Sequence, residues 1–159
     1  RLLTVGRLLE RLVGISTLFQ AFLDTGALHT AAGFELLLDL FDSAITFRAR
    51  YQRHEDLLAL TDLLVLDNTN PRAFAGVLRR LRTELTKLPG NEDRHGELLA
   101  RLPAEGTGLT LESLRGADDA ALAAALKQVS LRLGDVAGAL AEEIGTRYFT
   151  LAHGTDQLV

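Results

Sequence analysis

The sequence predicts an all-α fold, a bundle of five to six mostly antiparallel helices, on three observations. Large apolar residues recur at alternating spacings of three and four almost from end to end, which is the mark of helices with one buried face. No stretch alternates with period two for long enough to be a strand. The breaks between periodic segments are short and carry helix stop and start residues, which favours antiparallel neighbours.

The first helix carries Leu8, Leu12, Ile15, Phe19 and Phe22 on one face. Leu2, Leu9, Val13 and Leu23 widen that stripe, and Leu18 and Ala21 stand opposite. Beyond Gly14 the helix is apolar nearly all round, so it should be covered on several sides. Gly26 and Gly33 bracket its end, around residues 27–32. A second helix is expected at about 34–51, with Phe34, Leu37, Phe41 and Ile45 inward. His54, Glu55 and Asp56 interrupt the pattern and supply negative charge for a short third helix near 55–66.

Asp67-Asn68-Thr69-Asn70-Pro71 is the clearest boundary. Asn70 suits an N-cap, and Pro71 suits the first helical position, where its missing N–H costs nothing. The fourth helix then buries Phe74, Val77 or Leu78, Leu81, Leu85 and Leu88, and Pro89-Gly90 stops it. A short fifth helix near 92–102 leads into a loop at 103–108 and a single turn at 110–114. Asp118 and Asp119 open a long last helix with the stripe Leu122, Leu126, Val129, Leu133, Val136, Leu140 and Ile144. That spacing continues to Arg147 and Leu151.

The 159 residues amount to one domain, 1–159, or to half of a longer one. With 47% hydrophobic and 24% charged residues the chain can bury a sizeable core, so wholesale disorder is excluded. Having no Cys, it has no disulfide, no thiolate metal site and no cysteine nucleophile. A net charge of -4 removes the basic footprint of a nucleic-acid binder. No apolar run approaches the roughly 18 residues of a membrane span, and no signal-peptide layout opens the chain. A cytoplasmic location follows as the expectation. The chain begins at Arg1 and contains no Met, which reads as a segment of a longer protein.

The informative residues are charges on faces that should be dry. Arg7, Glu10 and Arg11 share one patch of the first helix and are expected to be at least partly buried. Arg48 continues the stripe of Phe41 and Ile45, and Arg147 continues that of Leu140 and Ile144. Glu143, four residues before Arg147, can pair with it. Two readings compete: an interior ion-pair network that fixes helix register, and an anion-binding pocket. Four arginines against Glu10 and Glu143 leave two positive charges over, and a planar guanidinium suits carboxylate or phosphate. Arg72, expected in the first turn of its helix, meets the wrong end of the helix dipole. A carboxylate such as Asp67, or an anion shared with that turn, would answer it.

Other chemistry is sparse. Glu92-Asp93-Arg94-His95 holds a single Glu-x-x-His, the unit that helical di-iron sites use twice, so it reads as a solvated helix start. His29, His54 and His153 lack metal-ligand spacing. There is no phosphate loop and no nucleophile elbow. No metal and no cofactor are expected.

Several stretches resemble one family. Gly6-Arg7-Leu8-Leu9-Glu10-Arg11 resembles the Gly-Arg-x-x-Glu-Arg signature of the bacterial alpha-E domain. Ser43-Ala44-Ile45-Thr46-Phe47-Arg48-Ala49-Arg50-Tyr51 resembles its Ser-x-Ile-Thr-Tyr-Arg-x-Arg-Tyr stretch, with Phe47 in place of Tyr. The Leu-rich segment 62–73, ending Asn70-Pro71-Arg72-Ala73, is the nearest match. Ile144-Gly145-Thr146-Arg147-Tyr148-Phe149 resembles the closing Ile-Ser-x-x-Tyr-Phe, with Gly145 in place of the small polar residue. Full alpha-E domains are about twice this long, so the chain resembles the C-terminal half.

The resemblance implies association with a circularly permuted ATP-grasp amidoligase, fused or separate, in peptide-like amide synthesis or turnover. The leading expectation is a non-catalytic binding or adaptor module that docks the ligase or holds a peptide or anionic ligand. Its rival is a catalytic half-domain with Glu10 as acid or base; a third reading is a purely structural helical repeat. Candidate ligand-binding residues are Arg7, Glu10, Arg11, Arg48, Tyr51, Arg72, Arg147 and Tyr148. Arg7, Glu10, Arg11, Arg48 and Arg147 are expected to meet in one place, with Tyr51 and Tyr148 as hydroxyl partners at its rim. The chain alone should also expose a large apolar patch, to be covered by the missing N-terminal half or by a second copy.

Overall fold

The computed structural model describes residues 1–52 and 56–149. Among them the fold is all-α, with seven α-helices and no strand. The helix α1, Leu2–Asp24, turns Leu8, Leu12, Ile15 and Phe19 inward together with Val5, Leu9 and Ser16. It ends at Gly26, whose φ of 71° is a left-handed conformation that glycine adopts without strain. One 3-10 turn, Ala27–His29, leads to α2, Ala31–Leu40. Thr30 caps α2, its hydroxyl accepting the Gly33 N–H at 3.0 Å.

The expected second helix is two helices. After Leu40 the chain bends through Asp42, at φ 50°, and α3 runs over Ala44–Tyr51. The Ser43 N–H donates to the Leu38 carbonyl at 2.8 Å, and its hydroxyl to the Phe41 carbonyl at 2.9 Å, which fixes the bend. The bend resets the helical phase. Phe34, Leu37 and Phe41 are buried as expected, but Ile45 is 82% exposed, and Ala44 and Phe47 face inward instead. Phe34 meets Phe47 edge-on with ring centres 5.5 Å apart, closing α2 and α3 into a hairpin.

The short helix α4, Leu57–Thr61, is capped by Asp56, whose carboxylate accepts the Leu58 and Ala59 N–H groups. It continues as a π-turn, Asp62–Leu66, in which the Asp67 N–H reaches the Asp62 carbonyl at 2.9 Å. Of the charges assigned to this helix start, His54 and Glu55 lie outside the described residues. Leu60, Leu63, Leu64 and Val65 are fully buried, so this segment belongs to the core.

Residue 71 does not begin a helix. Asn70 instead folds a turn: its side-chain oxygen accepts the Arg72 N–H at 3.1 Å and its carbonyl accepts the Ala73 N–H at 3.1 Å. The helix α5, Phe74–Leu85, starts after that turn and buries Phe74, Val77, Leu78, Leu81 and Leu85. Asn91 caps α6, Glu92–Leu99, through the Arg94 N–H. In the loop that follows, Arg82 donates to the Pro103 and Gly106 carbonyls at 2.6 and 3.0 Å, and Arg132 donates to the Thr107 carbonyl.

Asp118 caps α7, Asp119–Ile144, which passes into a π-turn, Gly145–Phe149. Its stripe is as expected except that Ala137, not Val136, is the fully buried residue after Leu133. Leu151 lies outside the described residues. The helices α1 and α7 make the largest contact in the molecule and run antiparallel: Lys127 pairs with Asp24 at one end, Gly134 approaches Ser16 at the middle, and Ile144 and Val5 line one groove at the other. Phe19 stacks on Phe74 and meets Phe41 edge-on, both at 5.5 Å, tying α1 to α5 and to the bend after α2.

Candidate functional site

The five charges expected to meet do not. Arg7, Glu10 and Arg11 all lie on the exposed side of α1, and none of them pairs with a described residue. The helix buries Leu8, Leu9 and Leu12 instead, so its apolar circumference leaves room for a charged ridge. Arg48, displaced from the core stripe by the bend at Asp42, has a side chain 60% exposed and pairs with Glu35 at 2.9 Å. Arg147, on the π-turn after α7, pairs with Glu143 and Glu97, both at 2.6 Å. Glu97 holds its guanidinium above the ordinary pKa, against the smaller effect of burial. The second oxygen of Glu143 lies 3.1 Å from Arg101 Nε, so this carboxylate serves two arginines.

The tyrosines are equally separate. The Tyr148 hydroxyl donates to the Pro89 carbonyl at 2.8 Å, while that of Tyr51 donates to Asp62. Burial pushes the Tyr51 phenol up to about 12, and the bond to Asp62 adds to the shift.

What the structure does assemble is a clasp around the Asn70-Pro71-Arg72 turn. The Asn70 amide donates to the Leu63 carbonyl at 3.0 Å and to the Ser43 hydroxyl at 3.4 Å, joining the π-turn to the bend after α2. Arg72 stands just before α5 and pairs with Asp42, not with Asp67. Asp67 is already occupied: Arg50 donates to it at 2.7 Å, and the Thr69 N–H and hydroxyl at 2.9 and 2.6 Å. Burial pushes the Asp67 carboxyl up, but the bonds from Thr69 and Arg50 outweigh it, and the net shift is downward.

Two clefts flank Arg72. One, of about 250 Å³, lies between Asp42, Thr46, Arg50 and Asp67. The other, of about 160 Å³, is walled by Ile15, Leu18, Leu40 and Phe41, with Arg11 and Arg72 both on it. Arg72, which its sequence position set apart, thus shares a cleft with the Glu10-Arg11 segment. Asp42 is the residue sequence reasoning missed here; its position beside Ser43 at a helix break was the available signal.

A third feature is a groove of about 710 Å³ between the first half of α1 and the end of α7. Leu2, Leu3, Val13, Ala141 and Phe149 are among its walls, and Glu10 is the one charged side chain lining it among the described residues. Among the described residues, no three His, Asp or Glu are placed to hold a metal ion, and no helix is long and apolar enough to cross a membrane.

The chain is similar to an uncharacterized protein of Mycobacterium bovis and to uncharacterized proteins of two strains of Mycobacterium tuberculosis. Each is 32% identical to it over 152 residues, which is 87% of this chain and 17% of the relative. The chain therefore spans about a sixth of the length of the curated relatives it matches. No solved structure matches it. The Alpha-E family, described as a predicted alpha-helical domain with a conserved ER motif, matches residues 1–149. Glu10-Arg11 is the sole Glu-Arg pair in the sequence and stands on the exposed ridge of α1; the chain belongs to the Alpha-E family.

Proposed function

We propose that this chain is a helical binding and adaptor module of a circularly permuted ATP-grasp amidoligase system. It docks the ligase through the ridge of α1 and holds a peptide or anionic ligand for it. One observation carries the reading. Arg48, Arg50, Arg72 and Arg147 all have carboxylate partners within the chain, whereas Arg7, Glu10 and Arg11, the family's motif, have none among the described residues. Charges that a fold does not use internally are free to meet a partner, where complementary charge sets orientation and association rate.

The groove beside the ridge supports the same reading. Its walls come from the first half of α1 and from the end of α7 with the π-turn that follows, and they are apolar apart from Glu10. The relatives extend far beyond the matched segment. The groove's occupant in this proposal is the adjoining helical half of the longer polypeptide, and a second copy of the chain is the competing outcome.

The test is binding of a purified ligase encoded beside the protein, read by interferometry. The chain should bind saturably, and the double variant Arg7→Glu, Glu10→Lys should bind at least about tenfold more weakly with its melting unchanged. No binding, or equal binding by the variant, ends the adaptor reading.

A second reading rests on Glu10 opening onto the large groove: Glu10 as acid or base of a catalytic half-domain. Glu10→Gln separates the two. A catalytic role predicts a fall in kcat with ligase binding intact, and the adaptor role predicts the reverse.

A further inference from the structure

We propose that the cleft shared by Arg11 and Arg72 binds a carboxylate carried on a short apolar tail, such as the C-terminal residue of a peptide. This gives the ligand-holding part of the adaptor reading a place and a chemistry, and rests on that part alone. The cleft is built by three separate elements. One face of α1 brings Arg11, Ile15 and Leu18, which are four and three residues apart; the end of α2 brings Leu40 and Phe41; the Asn70-Pro71 turn brings Arg72.

Its charge is unbalanced. Arg11 has no partner among the described residues, and Arg72 has only Asp42, whose side chain is 77% exposed. An exposed pair of this kind contributes little, so a ligand carboxylate can take the place of Asp42 at modest cost. With Asp42 in place the cleft still carries one positive charge over. Guanidinium groups meet carboxylates through two parallel N–H bonds, and such bonds strengthen against an apolar wall. Ile15 and Phe41 are buried and provide that wall, while Leu40 stays half exposed at its edge.

Size selects among anions. Pockets for drug-sized ligands run to roughly 300–1,000 Å³. A cleft of about 160 Å³ matches one amino-acid-sized group laid against its apolar wall. The apolar wall favours a hydrocarbon tail over a bare oxyanion.

The probes are N-acetylleucine, its uncharged amide, acetate and inorganic phosphate, titrated calorimetrically into the protein at low salt. N-acetylleucine should bind at least about tenfold more tightly than the amide, which lacks the charge, and than acetate, which lacks the tail. Arg11→Gln and Arg72→Gln should each weaken it by a similar factor, and Arg48→Gln should leave it unchanged. Asp42→Asn should tighten binding, because it releases Arg72 while keeping a residue that tolerates the positive φ at this position. That gain is something a merely structural Arg72 would not show. Equal binding of acid and amide overturns the proposal, as does a preference for phosphate or an unchanged Arg11→Gln. Ligase docking is measured separately on the Arg7 and Glu10 variant, so either result stands without the other.

Discussion

The carbonyl oxygen of Asn70 lies 1.9 Å from the place a Cβ on Gly76 would occupy. Gly76 is helical, so the requirement is one of space and not of backbone freedom: the Asn70-Pro71 turn closes directly onto the first turn of α5. Its neighbours there are backbone atoms, which cannot rotate away as a side chain end would. Gly76→Ala should therefore cost at least about 1–3 kcal/mol, the range for overpacking. Gly138 is the counter-case, an exposed position in α7 where an added methyl would have nothing within 4 Å. There the same substitution should stabilise by about 0.5–1 kcal/mol through helix propensity alone. Urea melts of the two variants should move in opposite directions.

Glu10→Ala and Arg48→Ala should both be mild, each within about 0.5 kcal/mol. A shared buried site would have made Glu10→Ala much the worse, by stranding several cations. Glu10 instead has no described partner, and the Arg48–Glu35 pair is exposed on both sides. Thermal melts decide it: a large loss for Glu10→Ala alone would mean that Glu10 does balance buried charge.

The fold class and most core residues were legible because periodicity reports which side of a helix is buried, and nearly all the large buried side chains stand on helices. The stripe of α1 and that of α7 carried over almost intact. The error over Arg48 has one source. A stripe extrapolated through residues 41–45 assumes an unbroken helix, and a bend of a few residues at Asp42 turns everything after it to a new phase. Capping gave the same lesson at Asn70, where an Asx turn outcompeted the N-cap that the dipeptide with Pro71 suggests. Glu143 with Arg147 was readable because the pair is local. Arg72 with Asp42 and Arg11 was not, since it depends on how the bend, the turn and α1 meet in space.

Alkaline stability should depend on Tyr51. Its phenol is pushed up to about 12, first by burial and then by its bond to Asp62, against an ordinary value near 10. The folded state thus holds this proton more tightly than the unfolded chain does. The contribution is fully present below about pH 10 and is lost as the pH rises through about 12. Melting temperatures should fall across that window, and fall less steeply in Tyr51→Phe, which has no proton to lose. Parallel curves for the two proteins would show that the phenol titrates alike folded and unfolded.

The groove between α1 and α7 makes the last prediction. Leu3, Val13 and Phe149 are 67%, 43% and 58% exposed, and they lie together instead of being scattered. Contiguous apolar surface of this kind marks an interaction site, and in isolation it recruits dyes and other copies. The chain by itself should bind a hydrophobic dye and self-associate as its concentration rises. Leu3→Glu with Val13→Glu should suppress both while leaving helicity and melting almost unchanged, because those side chains already meet water. Leu9→Glu, in the same groove but 4% exposed, should instead unfold the protein, since it places an unpaired charge in the core. If the groove's occupant is an adjoining helical half, as proposed, joining such a half should remove the dye signal as the double variant does. A chain that stays monomeric and binds no dye would show that the groove is closed in solution and needs no occupant.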